Sequence, residues 1–167
     1  MNIKWFSISI GLCIGLVCAG TPASAQRYNG HGYAFASVDA PNGGTLTNML
    51  SAGGGGEGFV WKGLAVGGEL SYLFPREYPS DGVGLFSVNG AYHFVNRDRP
   101  GKVVPFVTMG YTLGFRSGTA NMMNWGGGLT WWMFRHVGLR TEVRSYEYLG
   151  HYNGHFNAGL RFGVQFR

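Results

Sequence analysis

Apolar and polar residues alternate strictly over the last stretch of the chain, residues 155–166. The apolar positions are Phe156, Ala158, Leu160, Phe162, Val164 and Phe166. The positions between them are His155, Asn157, Gly159, Arg161, Gly163 and Gln165. Because an extended strand sends successive side chains to opposite faces, this pattern predicts a β-strand with one apolar face and one polar or glycine face.

The same period of two recurs along the chain, and no convincing helical period follows residue 25. It is clear over residues 64–74, 103–115 and 137–144, and weaker over residues 30–39, 53–62, 83–95 and 125–134. Turn-rich segments lie at 41–49, 75–81, 116–124 and 148–153, and shorter or basic connections lie at 62–63, 96–102 and 135–136. Evenly spaced strands joined in this way indicate an antiparallel meander of eight strands.

The first 25 residues follow a different pattern, that of a secretory signal. Lys4 precedes an apolar run over residues 5–19, which is shorter than the ~20 residues of a membrane-spanning helix. Ala23-Ser24-Ala25 supplies the small residues of a signal-peptidase site, so we expect cleavage after Ala25. Residues 1–25 are therefore predicted to be a signal peptide, and residues 26–167 one β-barrel domain.

The composition favours a membrane barrel over a soluble sandwich. Both cysteines, Cys13 and Cys18, lie in the predicted signal, so no disulfide is expected to hold the mature fold. The chain contains 30 glycines, and only 13% of its residues are charged. Glycine dominates the polar faces, which suits a narrow lumen and would make a poor water-facing surface. A soluble closed barrel with its apolar face turned inward is the alternative that these faces leave open.

Charged residues are scattered rather than clustered. Without Lys4, 12 of the 13 Lys and Arg residues remain against 8 Asp and Glu, so the mature chain carries a charge of +4. The sequence contains no basic run of the kind that nucleic-acid or polybasic lipid sites show. A basic nucleic-acid-binding function is therefore excluded, and secretion argues in the same direction.

Aromatic residues fall near the ends of the predicted strands. They are Phe74, Phe94, Phe115, Phe134, Tyr146 and Phe166. Girdles of aromatic residues at both membrane interfaces are typical of outer-membrane barrels. The adjacent Trp131 and Trp132 are predicted to lie on opposite faces, with one ring against lipid and the other in the lumen.

Four segments near the C-terminus carry a resemblance to a known family. They are Trp125-Gly-Gly-Gly-Leu-Thr, Arg135-His-Val-Gly-Leu-Arg, Glu142-Val-Arg and Leu160-Arg-Phe-Gly-Val-Gln-Phe. They resemble the outer-membrane β-barrel domain family, which is related to OmpA, OmpX and the opacity proteins. The resemblance implies an eight-stranded antiparallel up-and-down transmembrane β-barrel in the outer membrane of a Gram-negative-type bacterium. It also implies contact with outer-membrane lipids and lipopolysaccharide.

The end of the chain matches the family's assembly signal with one departure. Members of the family usually end on an aromatic residue that the barrel-assembly machinery reads. The matching residues here are Leu160, Phe162, Val164 and Phe166. Phe166 is penultimate, and Arg167 follows it. We expect the barrel-assembly machinery to be a partner of this chain.

Charged residues of several strands should meet inside the barrel. They are Glu69, Arg140, Glu142, Arg144 and Arg161, with Glu57 as a further candidate. Because an isolated buried charge is costly, we interpret them as an internal ion-pair network that plugs the lumen. The alternative is a charged constriction that passes small anions, since arginine outnumbers glutamate on the last two strands.

No residue set predicts a catalytic, cofactor or metal site. Ser145, Glu147 and His151 are the residue types of a nucleophile, an orienting acid and a base, but no His-x-Ser pair is present. His151 and His155 are four residues apart, a spacing that suits metal binding on a helix and is weak on a loop and strand. Residues 53–56, four glycines, lack the Lys and Ser/Thr of a phosphate loop and are predicted to be a small-side-chain strand.

The sequence is compatible with three hypotheses for function. The leading one is a non-enzymatic, monomeric outer-membrane barrel with a structural or surface-interaction role, whose ligand at the external loops is unknown. The second is a narrow porin-like channel for small solutes, including anions. The third is an envelope lipid-modifying enzyme, which rests only on the residues near 145–155.

Overall fold

The computed structural model describes residues 30–41, 48–95, 102–150 and 156–167. Its strands are β1 (Gly30–Pro41), β2 (Met49–Trp61), β3 (Leu64–Pro75), β4 (Val83–His93), β5 (Val103–Phe115), β6 (Thr119–Trp132), β7 (Val137–Tyr148) and β8 (Phe156–Phe166). A short 3₁₀ helix, Pro79–Asp81, lies between β3 and β4. Over these ranges no helix has the length and hydropathy of a membrane-spanning segment.

The eight strands form one closed barrel in sequence order, in which β1 also pairs with β8. Every pairing is antiparallel, as in the register Gly32↔Phe166 that closes the barrel. Closure leaves no strand with an unpaired edge. The predicted eight-stranded up-and-down barrel is therefore confirmed.

The two ends of the barrel are named here by the chain termini. An even number of strands brings the start of β1 and the end of β8 to one end, which we call the terminal end; the opposite end is the loop end. At the terminal end, β2 and β3 are joined by the two-residue turn Lys62-Gly63, in which φ is 30° and 92°. Positive φ at both residues is the conformation that matches the twist of a tight hairpin.

The alternation of the sequence corresponds to the two faces of the barrel wall. In β8, Leu160 and Phe162 are exposed on the outside, whereas Arg161 between them is buried in the lumen. The paired tryptophans divide as predicted, with Trp131 50% exposed and Trp132 6% exposed. The strand pattern therefore predicted the facing correctly for these residues, but Tyr146, grouped above with the interfacial aromatic residues, is 3% exposed and lies in the lumen.

Two strands begin earlier than the sequence predicted. β2 begins at Met49 rather than at residue 53, and β6 begins at Thr119 rather than at residue 125. The predicted loop 116–124 is thus mostly strand, and only residues 116–118 connect β5 to β6. The polar residues that suggested a loop are tolerated because a barrel lumen accepts them: Asn124 is fully buried there.

Several predictions concern residues outside the described ranges. These are the signal peptide at 1–25 with cleavage near Ala25, the centres of the predicted connections at 41–49 and 96–102, and the group around His151 and His155. These points stay predictions.

Candidate functional site: a charged lumen closed at both ends

An alternating row of charges begins near the terminal end of the lumen. Glu57 on β2 accepts a hydrogen bond from Arg140 on β7, with Nη1 3.0 Å from Oε1. Arg140 Nε also lies 3.3 Å from Oε2 of Glu142. The other oxygen of Glu142 accepts a hydrogen bond from Nε of Arg144. Each carboxylate in this part of the row therefore meets at least one guanidinium.

The row continues across the barrel to Glu69 on β3. Arg161 Nη1 lies 2.9 Å and 3.0 Å from the two oxygens of Glu69, and Arg144 Nη2 lies 3.8 Å from Oε2. Tyr33 donates a further hydrogen bond to Oε2 at 3.1 Å. Arg161 Nη2 also donates to the hydroxyl of Tyr146. Strands that are not neighbours in the wall are thus connected through the interior.

Aromatic rings cover the faces of two of these guanidinium groups. The Arg140 Cζ lies 3.9 Å from the ring centre of Phe106 and 4.5 Å from that of Tyr33. Arg161 Cζ lies 4.2 Å from the ring centre of Phe35. Rings at these distances attract a cation through the negative face of the π-system. The edges of each guanidinium bond to carboxylates while its faces pack on rings, so the charged groups also fill space.

The row is balanced in charge. It contains three arginines and three glutamates, all of them buried: Glu57, Glu69, Glu142, Arg140, Arg144 and Arg161. The last two strands alone carry an excess of arginine, which is the feature that would favour an anion path. Glu57 and Glu69, which come from the opposite wall, remove that excess within the row. A balanced, mutually bonded set of buried charges holds strands in place and offers no net attraction to an anion.

The loop half of the lumen contains one more buried carboxylate, that of Asp39, together with neutral polar groups and a small apolar cluster. Asn124 donates to Asn89 Oδ1 at 2.9 Å and to Thr112 Oγ1 at 2.8 Å. Beyond them, Leu85, Met122 and Tyr146 form a buried cluster against which Leu73 and Val83 pack. This cluster closes the lumen from the loop side within the described residues.

Two histidines and three aromatic rings close the terminal end. The rings of His31 and His93 have their centres 5.7 Å apart. Phe59 lies against both, at 4.8 Å from His31 and 5.2 Å from His93. Trp132 packs on His31 at 5.2 Å, and Phe106 stacks on His93 at 5.5 Å. Sequence reasoning missed this cluster because its members come from β1, β2, β4, β5 and β6.

The cavity beside Arg140 and Arg161 in the lumen is small. A cavity lined by Tyr33, Phe35, Arg140, Glu142, Arg161 and Gly163 has a volume of about 10 Å³. A single water needs roughly 10–15 Å³ of such volume. Glycines leave room for the large side chains to pack this closely. At Gly55, an added Cβ would lie 2.8 Å from the Tyr33 hydroxyl.

The residues considered for other sites are placed as follows. Ser145, the candidate nucleophile, is 4% exposed and pairs with Ala158 across β7 and β8. The row Leu160, Phe162, Val164 and Phe166 lies along the outer face of β8. Its position suits an exposed recognition strip, and its role in assembly remains a prediction.

Comparison with known proteins extends the description of the fold. No family model and no curated protein matches the chain. The N-terminal β-barrel domain of Pseudomonas aeruginosa OprF matches 84% of this chain and 100% of its own, with a TM-score of 0.59 and 19% identity. The fold is that of an outer-membrane β-barrel.

Two other solved barrels match to a similar extent. Neisserial surface protein A is 14% identical, with a TM-score of 0.58 over 82% of this chain and 96% of its own. The attachment invasion locus protein Ail of Yersinia pestis is 13% identical, with a TM-score of 0.55 over 83% of this chain and 97% of its own. The likeness confirms the predicted OmpA-like barrel at the level of the fold.

Proposed function

We propose that this chain is an integral outer-membrane barrel with a sealed lumen and a structural or surface-interaction role, and that it is not an enzyme. The observation that carries the proposal is the combination of a filled interior, whose charges are paired in a row, with an apolar exterior. Such a molecule has its buried polar groups inside and its hydrophobic groups outside, the reverse of a soluble barrel. A bilayer is the surrounding that fits this arrangement.

The exterior supports membrane insertion. Large apolar residues are exposed on the outer faces of six consecutive strands, including Leu70, Phe86, Met109, Trp125, Val143 and Phe162. Exposed apolar patches on soluble monomers rarely exceed a few hundred Å². A belt that follows the wall from β3 to β8 needs lipid to cover it, which disfavours the soluble alternative.

The proposal includes an orientation and partners. We place the terminal end toward the periplasm, where bacterial barrels have their short turns, because the two-residue turn Lys62-Gly63 lies there, although the connection 94–102 at the same end is longer. The connections after β1, β3, β5 and β7 would then face outward and carry any surface interaction. Secretion through the signal at 1–25, assembly through the outer row of β8, and contact with lipopolysaccharide and other lipids are parts of the same proposal. We expect a monomer.

Conductance of the refolded chain in a planar bilayer tests the proposal. The folded state is checked first as a band that shifts on boiling. We expect no discrete conductance steps from folded wild-type protein, since both ends and the middle of the lumen are filled. A hollow porin prepared in the same way serves as the positive control for insertion.

A channel would give the opposite result. Discrete anion-selective steps that shrink when Arg140 or Arg144 is neutralised would overturn the sealed-lumen proposal in favour of the narrow channel. A chain that stays soluble and folded without detergent or lipid would overturn membrane insertion itself. The two outcomes are separable because the second is read by sedimentation before any bilayer is formed.

A further inference from the structure

Three side chains at the terminal end bring nitrogen and carboxylate donors to one point. His31 and Glu57 are direct partners in the register of β1 and β2, and His93 is the last residue of β4. Nδ1 of His31 lies 3.7 Å and Nε2 of His93 lies 3.2 Å from Oε1 of Glu57. The three donor atoms all lie within 4.8 Å of one another.

These separations suit one small cation. Around a tetrahedral zinc ion with bonds of about 2.0–2.1 Å, neighbouring ligand atoms lie roughly 3.3–3.5 Å apart. Two of the three donor pairs are close to this separation. The third pair, His31 and His93, lies within 4.8 Å and needs to close by up to about 1.3–1.5 Å.

One donor atom, Nε2 of His93, lies close to a carboxylate without a well-formed hydrogen bond. His93 is 2% exposed, and its Nε2 forms no hydrogen bond of acceptable geometry despite its closeness to Glu57. Buried polar atoms without a partner are rare in native proteins and call for a physical reason. A cation bound between His93 and Glu57 would satisfy this nitrogen.

The second nitrogen, Nδ1 of His31, carries no proton, as binding to a metal requires. Arg140 Nη1, which can only donate, lies 3.3 Å from Gln165 Oε1, and Thr130 donates to the same oxygen at 3.0 Å. The amide nitrogen of Gln165 is therefore the atom that faces His31 Nδ1, at 2.7 Å. Because that nitrogen donates, His31 Nδ1 carries a lone pair, which a cation would take over from Gln165.

We propose that His31, Glu57 and His93 form a binding site for a divalent transition metal, with Zn²⁺ as the reference ion. Two imidazoles and one carboxylate are a ligand set that zinc accepts, whereas calcium and magnesium prefer oxygen donors alone. Phe59 and Trp132 surround the imidazoles and limit the access of water. The site would join β1, β2 and β4 at the terminal end, and the proposal does not depend on whether the lumen conducts.

Arg140 both supports and limits the site. It bonds to Glu57 and so fixes the carboxylate, as outer-shell partners of metal ligands commonly do. Its positive charge opposes a cation, but it is shared with Glu142, whose Oε2 lies 3.3 Å from Arg140 Nε. We therefore expect binding to be specific but weaker than in a site whose carboxylate has no cationic neighbour.

Metal titration of the refolded full chain, prepared without a histidine tag, tests the proposal. Co²⁺ is the optical probe, Zn²⁺ is its competitor, and wild type is compared with His31→Gln, His93→Gln and the control His136→Gln. His136 belongs to the turn after β6 and is not part of the cluster. We expect one ion per chain in wild type and in His136→Gln. We expect the two cluster variants to lose more than the roughly 10- to 100-fold affinity that loss of an outer-shell partner causes.

Other outcomes decide against the site. Folded wild type that binds no ion, or binding that both cluster variants retain, would overturn the proposal. Equal loss in His136→Gln would also overturn it. If a cluster variant fails to give the heat-shifted folded band, X-ray absorption of zinc-loaded wild type replaces it: two imidazoles in the first shell support the site, and one or none refutes it.

Discussion

Arg161 on the last strand of the barrel bonds to both carboxylate oxygens of Glu69 on the third strand, at 2.9 Å and 3.0 Å. Ninety-two residues separate the two in sequence. The pair lies in the lumen, where both side chains are almost fully buried. It connects opposite sides of the wall and joins the alternating row of charges that fills the interior.

Replacing Glu69 by Gln should destabilise the barrel strongly. Arg161 would keep a hydrogen-bond acceptor but lose its counter-charge, and Arg144 would lose its second carboxylate. Breaking a buried pair by removing one partner typically costs about 3–5 kcal/mol. Urea unfolding in lipid vesicles, followed by tryptophan fluorescence, measures this loss.

The exposed pair Arg116–Asp81 is the matched control for that prediction. Its atoms lie 2.8 Å apart, close to the distance in the buried pair, but its side chains are about half exposed. Surface pairs contribute about 0–1 kcal/mol, so Asp81→Asn should be almost neutral. Similar losses in Glu69→Gln and Asp81→Asn would contradict the assignment of a low-dielectric lumen.

Neighbouring residues on β8 should respond differently to substitution. Leu160→Arg places a charge on the outer face near the middle of the strand, where a lipid-facing arginine costs about 2–4 kcal/mol. Arg161→Leu removes a charge from the interior and leaves Glu69 with Arg144 as its remaining guanidinium partner and with the hydrogen bond from Tyr33. Refolding yield into vesicles should fall sharply for Leu160→Arg, whereas Arg161→Leu should insert and then unfold at lower urea. Tyr78→Arg, at an exposed site outside the strands, is the control for the added charge.

The adjacent glycines of β2 offer a test of the narrow lumen. An added Cβ at Gly55 would lie 2.6 Å from the Gly68 carbonyl oxygen, whereas at Gly56 the nearest atom is the His31 carbonyl oxygen at 3.4 Å. Overpacking usually costs about 1–3 kcal/mol. Gly55→Ala should therefore lower the urea midpoint, and Gly56→Ala should leave it near the wild-type value. A reversed order would mean that the faces of β2 are wrongly assigned.

Two tryptophans of β6 should differ in their contact with lipid. Trp125 is half exposed on the outer face, and Trp132 is 6% exposed. Variants that retain only one of them, with the others changed to Phe, are refolded into vesicles containing lipids brominated along the acyl chain. Fluorescence of Trp125 should be quenched strongly and that of Trp132 weakly. Equal quenching would argue against a closed wall at this strand.

The assembly role of the outer row of β8 is tested by separating assembly from folding. Phe166→Ala should reduce the amount of folded barrel in cell envelopes and leave refolding in detergent close to that of wild type. Phe86→Ala, which removes an exposed aromatic ring from β4, is the control. A loss in detergent as large as the loss in cells would assign Phe166 a structural role instead.

Sequence periodicity predicted the wall of the barrel well and its interior only in part. The facing of β8 followed from Leu160, Arg161 and Phe162, because an apolar lipid face leaves a strict period of two. β6 began earlier than predicted because Asn124 looks like a loop residue, although a lumen can bury it. The period along one strand carries no information about where another strand begins.

Contacts across the lumen were the part that the sequence could not specify. Arg161 and Glu69 were both assigned to the interior, but their pairing depends on the shear and tilt of the strands. His31 and His93 were not singled out, since each is an isolated histidine in its own strand. Only the closed barrel brings them to Glu57.

The interior row of charges also constrains the number of strands that the barrel can have. Glu57 on β2 bonds to Arg140 on β7, and Glu69 on β3 bonds to Arg161 on β8. The diameter of a barrel grows with its strand number, so a duplicated hairpin would pull these partners apart and leave charges stranded in the wall. Deletion of a hairpin that includes β2, β3, β7 or β8 would remove members of these pairs. Proteins that share this lumen can therefore vary their loops, but a change in strand number would also require different charged residues in the interior.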